Sequence, residues 1–387
     1  MKTLVYLSNA RVPSEKANSK QSMSQCEAFG KLYDVEFWHP VRRSALPVKD
    51  VYEYYGLDRT FRMRPIRCLD IESLRRIRPR AAFFVQALTF LAICAVRLTL
   101  IPKGAVIYSR NQFDLIVAPV LRVVRNDVSF FFEDHDGVLA RFPRLKVALL
   151  RAVKGIVVTT HFHAKALTDA GVPVRKVLTC ANGVRIEHFG ETEPRSVDGI
   201  FRVVYAGNLF PWKGVFVLAD AVRYLPANYE IEFVGGSPEA ERPFRERLIE
   251  TGVIDRIVMR GYLAPRDVPH ALAGGDVLVL PNSATKALSD TYTSPLKLFE
   301  YMAAGRPIVA SDVPAIRQIL TDGHNAILVD PDDSRALAEG IQLVCKDRAL
   351  GARLGAQARK DVEEFTWNNR AARISQFISA RKDAPGC

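Results

Sequence analysis

Short apolar, β-branched runs alternate with longer stretches of helical period along the whole chain, and that alternation admits few folds. The runs fall at 4–8, 35–39, 105–109, 128–133, 155–159 and 176–180. A second series lies at 201–206, 229–234, 256–260, 276–280, 307–310 and 326–329. Strands separated by helices predict stacked βαβ units and parallel sheets covered on both faces. Between the two series the stretch 189–200 (FGETEPRSVDGI) loses hydrophobicity and gathers charge, Gly and Pro, the composition of a linker. The expectation is two doubly wound α/β domains joined near residue 195, with ligand in the crevice beyond the carboxyl ends of the strands. A length of 387 residues is too great for one ordinary domain and comfortable for two.

The sharpest local pattern is TSPLKLFEYMAAGRPIVA at 293–310. Ser294 suits an N-cap and Pro295 the first helical position, where a missing N–H costs nothing. Gly305 stops the helix and Pro307 introduces the next strand. A helix opening at a strand's carboxyl end offers free N–H groups and a positive dipole end to a diphosphate. Lys297 and Glu300 share a face three residues apart. Glu300 is placed to accept from ribose hydroxyls, or simply to pair with Lys297. Upstream, VVYAGNLFPWKG at 203–214 makes a strand, a glycine turn and a lysine near the next helix. Lys213 can there reach the same diphosphate as a point charge. Arg260-Gly261-Tyr262-Leu263 closes a strand where backbone groups could meet a base, and Val234-Gly235-Gly236 ends another with no side chains in the way.

The ordered succession AGNLFPWKGV, EFVGG, RGYL, DVLVLPN, SPLKLFEYMAAGRPIVAS resembles the GT-B retaining glycosyltransferases of family four (group 1). CANGVRIEHF at 180–189 is similar to the family's Asn-Gly-Val segment, and EEFTWNNRAARI at 363–374 to its closing helix, so the resemblance covers nearly the whole chain. It implies an α/β, GT-B architecture: two doubly wound Rossmann-like domains with a deep interdomain cleft. The acceptor-binding domain would span 1–192, the nucleotide-sugar-binding domain 193–365, and a helix over 366–387 would cross back to the first domain. It further implies that Lys213 binds the donor phosphates and Glu300 the ribose. Ser294, Pro295, Leu296 and Lys297 would lie at the phosphate-facing helix start, and Gly261, Tyr262 and Leu263 would frame the base. His135, just past a strand in FFEDHD, takes the place of a histidine facing the donor sugar. The family often has two glutamates separated by seven residues; Tyr292 stands where the first would be, with Asp290 the nearest carboxylate and Thr293 beside it. Asn208 stands where the family usually has an arginine. Lys16, Asn18, Ser19 and Arg110 are candidates for the acceptor side. No metal or other cofactor is required on this account, the nucleotide-diphosphate sugar being a substrate. The implied activity is sugar transfer, of hexosyltransferase type, to a glycan or lipid-linked acceptor. A nucleotide-sugar epimerase on the same architecture and a catalytically weak nucleotide-sugar-binding partner are the alternatives.

The net charge of +12 is uneven: residues 1–190 carry 30 Lys+Arg against 16 Asp+Glu, and residues 191–387 carry 24 against 26. A solvated basic face or attraction to an anionic surface explains such a split. No helix-turn-helix, RNP or Cys/His finger pattern accompanies it, so lipid is expected and nucleic acid is not. Residues 59–80 hold eight arginines and lead into the apolar stretch 81–96. Sixteen residues fall short of the roughly 20 that span a bilayer. A domain helix, or a helix resting on anionic lipid, is expected there, with Gln86, Thr89 and Arg97 on one polar stripe. Met1-Lys2 leads into a run that reads as a buried strand rather than a signal peptide, and the six cysteines are scattered. The expected location is cytoplasmic, peripheral on the inner face of the cell membrane.

Overall fold

A computed structural model describes residues 1–42, 44, 46–71, 77–135, 143–190, 199–286, 291–292 and 294–382. The chain forms two compact units, Met1–Ala181 with Trp367–Cys387, and Asn182–Thr366.

The first unit is built on strands β1 (Thr3–Leu7), β2 (Asp34–Pro40), β3 (Arg62–Ile66), β4 (Val106–Ser109), β5 (Ser129–Asp134), β6 (Gly155–Val158) and β7 (Val177–Thr179). They lie in the order β3-β2-β1-β4-β5-β6-β7, every described pair parallel. Strand direction and side-chain parity divide the core. Val5, Leu7, Ile107, Phe130, Phe132, Ile156 and Val158 pack with the helices Pro79–Leu98 and Val117–Val124. Tyr6, Tyr108 and Phe131 point the other way, as the period of two requires. There the rings of Phe29 and Tyr108 lie 5.3 Å apart, and those of Phe131 and Phe377 lie 6.1 Å apart. Phe29 belongs to the helix Ala17–Gly30 and Phe377 to the helix Trp367–Lys382. A Cβ on Gly155 would stand 2.5 Å from the Phe377 ring, so only glycine lets the closing helix settle on β6.

β3 does not appear among the apolar runs of the sequence. It is an edge strand (RMRPI) whose exposed arginines hide its period: Arg62 pairs with Asp34 at 2.8 Å and Arg64 with Glu36 at 2.9 Å, both on β2. Part of the arginine-rich stretch is therefore committed to the sheet rather than to an outside anion. The helix Pro79–Leu98 is longer than the apolar 81–96, because Pro79 opens it in the first turn. Only the end of its polar stripe faces solvent: Arg97 is exposed, but Gln86 is buried and donates to Asn9 Oδ1 at 2.8 Å, and Thr89 bonds back to the Val85 carbonyl. Phe83, Phe84, Leu88 and Val96 are its exposed large hydrophobic side chains.

The second unit has β8 (Phe201–Ala206), β9 (Tyr229–Val234), β10 (Ile257–Gly261), β11 (Val277–Leu280), β12 (Ile308–Ser311) and β13 (Ile327–Val329). Their order is β10-β9-β8-β11-β12-β13, again parallel. One face packs Val203, Tyr205, Ile231, Phe233, Val277, Val279 and Val309 against the helices Val215–Ala221, Pro238–Glu250 and Ser334–Lys346. The unit begins before the charged 189–200 stretch, because residues there spend their hydrogen bonds inside it. Asn182 Nδ2 donates to the Ser294 carbonyl at 2.7 Å, and the Val184 N–H to the Phe365 carbonyl at 2.9 Å.

Candidate functional site

In the second unit the strand order reverses between β8 and β11, the place where doubly wound sheets leave a crevice beyond the strands' carboxyl ends. Gly207, at φ +148, follows β8 there, and the Gly235 following β9 stands against it at φ +111. A Cβ on Gly235 would lie 2.6 Å from the Gly207 carbonyl oxygen. The chain then makes a single turn, Pro211–Lys213, that leans on the end of β11. Ser283 N–H donates to the Trp212 carbonyl, and a Cβ on Gly214 (φ +72) would fall 1.5 Å from the Pro281 oxygen. Glycine at 214 is thus required both by backbone angle and by space. These constraints hold Lys213 at the reversal point, its Nζ 5.1 Å above the Trp212 ring. Burial brings its ammonium down to about 8.

The helix Leu296–Ala304 carries the second group. It begins one residue later than its sequence suggests: Pro295, with extended angles, takes the N-cap position. Ser294 does not cap it, because its Oγ accepts the Asn182 N–H at 3.1 Å and its carbonyl accepts Asn182 Nδ2. Lys297, in the helix's first turn, is buried, and its Nζ sits 3.7 Å above the Tyr205 ring centroid. That Nζ is 3.6 Å from where a Gly207 Cβ would be, and it has no hydrogen-bond partner among the described residues. Burial, and then the charge of Lys213, push Lys297 well below the ordinary lysine range, with Glu300 opposing. Tyr205 OH donates to the Asn208 carbonyl at 2.8 Å, so Asn208 meets this group through its backbone. The Tyr301 hydroxyl accepts the Ala206 N–H at 2.6 Å and locks the helix to β8. Gly261 ends β10 at φ +66 and its carbonyl accepts the Gly235 N–H, with the half-exposed Tyr262 and Leu263 following. Glu300 and Tyr292 are both half-buried; Asp290 and Thr293 lie outside the described residues.

The other predicted residues gather in the first unit, where the order reverses between β1 and β4. Arg110, just past β4, donates to the Asn18 carbonyl at 2.9 Å, to Ser22 Oγ at 3.2 Å and to Gln21 Oε1. Ser19 is buried, its Oγ donating to the Arg11 carbonyl, while Lys16 and Asn18 are exposed at the start of the helix Ala17–Gly30. His135 follows β5, and its Nε2 lies 2.6 Å from Glu133 Oε1. Glu133 is wholly buried on the same face as Phe131 and also accepts from Gln21 Nε2 at 2.5 Å, Arg370 Nη2 at 2.9 Å and Tyr108 OH. Burial alone would raise its carboxyl, but Arg370, His135 and Arg110 hold it well below the usual carboxylate range. Burial and the Arg110 charge lower the His135 imidazole against the pull of Glu133. Glu133, Gln21 and Arg370 escaped the sequence reading. The one signal was a carboxylate at an inward position of the apolar run VSFFFED, which cannot be buried without partners.

A family model described as glycosyl transferases group 1 matches residues 200–347. The D-inositol 3-phosphate glycosyltransferase of Xylanimonas cellulosilytica is 29% identical over 187 residues, 47% of this chain and 43% of that protein. The phosphatidyl-myo-inositol mannosyltransferase of Mycobacterium leprae is 29% identical over 167 residues, 42% of each chain. The chain thus spans less than half the length of these curated relatives. Among solved structures, Anabaena Alr3699/HepE in complex with UDP and glucose superposes with a TM-score of 0.74 at 19% identity, over 97% of this chain and 99% of that one. Sucrose-phosphate synthase from Thermosynechococcus elongatus superposes at 0.77 with 18% identity, over 98% and 99%. Residues 200–347 thus match the model of the glycosyl transferases group 1, and the chain carries a GT-B fold of two Rossmann-like units.

Proposed function

We propose that the chain transfers a sugar from a nucleotide-diphosphate sugar to a glycan or lipid-linked acceptor, with retained anomeric configuration, in the synthesis of a surface polysaccharide or glycolipid. The observation that carries this reading is the pair of lysines at the β8/β11 reversal. Lys213 and Lys297 come from separate elements, each is desolvated, and the charge of Lys213 lowers Lys297 further. Two ammonium groups so placed repel one another, and an anion bearing more than one charge relieves that cost. The diphosphate of a nucleotide sugar answers this description, and the solved neighbour holding UDP and glucose supports the donor class. As the glycosidic bond breaks, negative charge gathers on the leaving diphosphate, and cations already in place stabilise it most at that moment. Glu300, one turn along from Lys297, takes the ribose hydroxyls, and the backbone of Gly261 to Leu263 takes the base. His135 and Tyr292 serve the sugar.

Label from a panel of nucleotide-diphosphate sugars tests the reading. Slow hydrolysis without acceptor, and transfer of label to a glycan or lipid-linked acceptor, are expected. Interconversion of free nucleotide sugars would make the chain an epimerase, and no turnover of any donor would leave a binding partner. Glu300→Gln should weaken nucleotide-diphosphate binding about 10-fold or more, the value of a hydrogen bond to a charged group, at an unchanged melting temperature. Unaltered affinity in that variant would return Glu300 to a helix-surface ion pair.

The first unit supports attachment to the cytoplasmic face of an anionic membrane. Its helix Pro79–Leu98 is long and apolar enough to cross a bilayer by length and composition, yet a third of its most apolar window is buried in the unit. A helix one-third buried in its own domain suits lying on lipid better than crossing it. Phe83, Phe84 and Leu88 are exposed on it, and the Phe83 and Phe84 rings stand 6.2 and 5.9 Å from that of Phe113. Val120, Val123 and Val124 are exposed on the short helix that Phe113's turn leads into. Arginines near an anionic leaflet contribute about 1 kcal/mol each. Sedimentation with phosphatidylserine-rich vesicles should deplete the supernatant at low salt and much less at high salt or with neutral vesicles. Equal recovery under all three conditions would leave the chain without a membrane partner.

A further inference from the structure

The Glu133 cluster goes beyond what sugar transfer itself requires of the first unit. Four elements converge on one buried carboxylate: the helix Ala17–Gly30 through Gln21, β4 through Tyr108, the end of β5 through His135, and the helix Trp367–Lys382 through Arg370. An ionised carboxylate carries no proton, so every group that touches it must donate. Arg370 and Tyr108 can only donate there. Gln21 is turned the right way round because its Oε1 accepts from Arg110, which leaves its amide N–H to face Glu133. By the same logic the 2.6 Å contact to His135 requires hydrogen on Nε2. The other ring nitrogen, Nδ1, has no hydrogen-bond partner among the described residues, and the side chain is 21% exposed.

We propose that Glu133 is the positioning residue of His135. By accepting the Nε2 proton it fixes the imidazole in one tautomer and leaves Nδ1 as an acceptor for a hydroxyl of the sugar-bearing substrate. Arg370 and Tyr108 keep the carboxylate ionised and in place, and Arg110 orients Gln21 from the opposite side. The groups that face the ring are thus Glu133, Gln21, Arg110 and Arg370. The two cations work against a second proton on the imidazole, so the ring stays a neutral acceptor rather than an imidazolium. The device joins the C-terminal helix to the first sheet: Arg370 donates to Gln25 as well as to Glu133, and its Nε to the Ala181 carbonyl at 3.0 Å. This assignment rests on the sugar-transfer reading for the identity of what meets Nδ1, but the tautomer itself does not.

Nitrogen-15 spectra of the full chain labelled at histidine test it, with the His135 ring assigned by its disappearance in His135→Asn. The expected result is a neutral ring with a protonated Nε2 and an unprotonated Nδ1, unchanged from about pH 6 to about pH 8. A ring protonated at Nδ1, or one that titrates to imidazolium in that range, would overturn the proposal, and this reading needs no activity. Glu133→Leu then removes the acceptor altogether; in Glu133→Gln the amide oxygen would stay toward His135, because Arg370 and Gln21 donate to that same Oε1. In Glu133→Leu only donors remain around Nε2, so the ring should switch to the Nδ1–H tautomer and transfer should fall about 100-fold, while affinity for the bare nucleotide diphosphate stays at the wild-type value. Wild-type transfer with a switched tautomer would sink the role of Nδ1. Should Glu133→Leu not fold, the wild-type spectrum still decides. A wild-type chain with the expected tautomer and no transfer of any sugar would count against the proposed function and not against the tautomer.

Discussion

Lys213→Ala is expected to lower turnover by about 10²–10³-fold even at saturating donor, the usual cost of removing one preorganised group that meets developing negative charge. The variant should also bind nucleotide diphosphate more weakly, yet melt normally, because Lys213 lies on the rim of the turn and supports no core packing. Turnover at the wild-type rate would remove Lys213 from the leaving-group role. Its pH dependence gives a second check with a definite sign. Burial sets its folded value at about 8, against 10.5 when unfolded. On the proposed reading donor binding needs the ammonium, so nucleotide-diphosphate affinity should fall as pH rises through 8. The free protein responds in the opposite sense. Between about 8 and 10.5 the unfolded chain binds more protons at this lysine, so its contribution to stability improves with pH. Affinity and stability therefore move apart over that window, and a titration in which both fall together would point to general alkaline unfolding.

Arg370→Ala carries the largest expected effect on stability. Removing one partner of a buried ion pair leaves the other charge uncompensated, at about 3–5 kcal/mol. Here the orphan is Glu133, wholly enclosed, and Gln25 and the Ala181 carbonyl lose a partner with it. For a unit of this size that corresponds to a fall of roughly 10 °C in melting temperature. Calorimetry should resolve it as a shift of one transition, that of the unit containing residues 1–181, with the transition of Asn182–Thr366 unmoved. The deficit should also depend on pH. In the wild type the depressed Glu133 carboxyl contributes stability above the ordinary carboxylate range, lost as pH falls through its folded value. Without Arg370 the buried carboxylate is better protonated, so the gap between variant and wild type should shrink in acid. A gap constant with pH would mean that Arg370 acts through packing alone.

Much of this protein was legible because its information is local. The apolar run Val203 to Ala206 and the glycine stop at 305 are written within a few residues of where they act, and so is the lysine after the Ala-Gly-Asn turn. Backbone sterics and burial read such patterns directly. Parallel sheets followed from the alternation, since strands separated by helices can be joined in no shorter way. What tertiary structure decided were the partners of polar groups. Nothing near Ser294 announces that its hydroxyl serves Asn182, 112 residues away, instead of capping its own helix. β3 hid behind arginines whose partners sit on the neighbouring strand. Glu133 and Arg370 stand 237 residues apart, and each alone reads as an ordinary charge. A residue's type states that a buried polar group must be satisfied; only the folded topology states by whom.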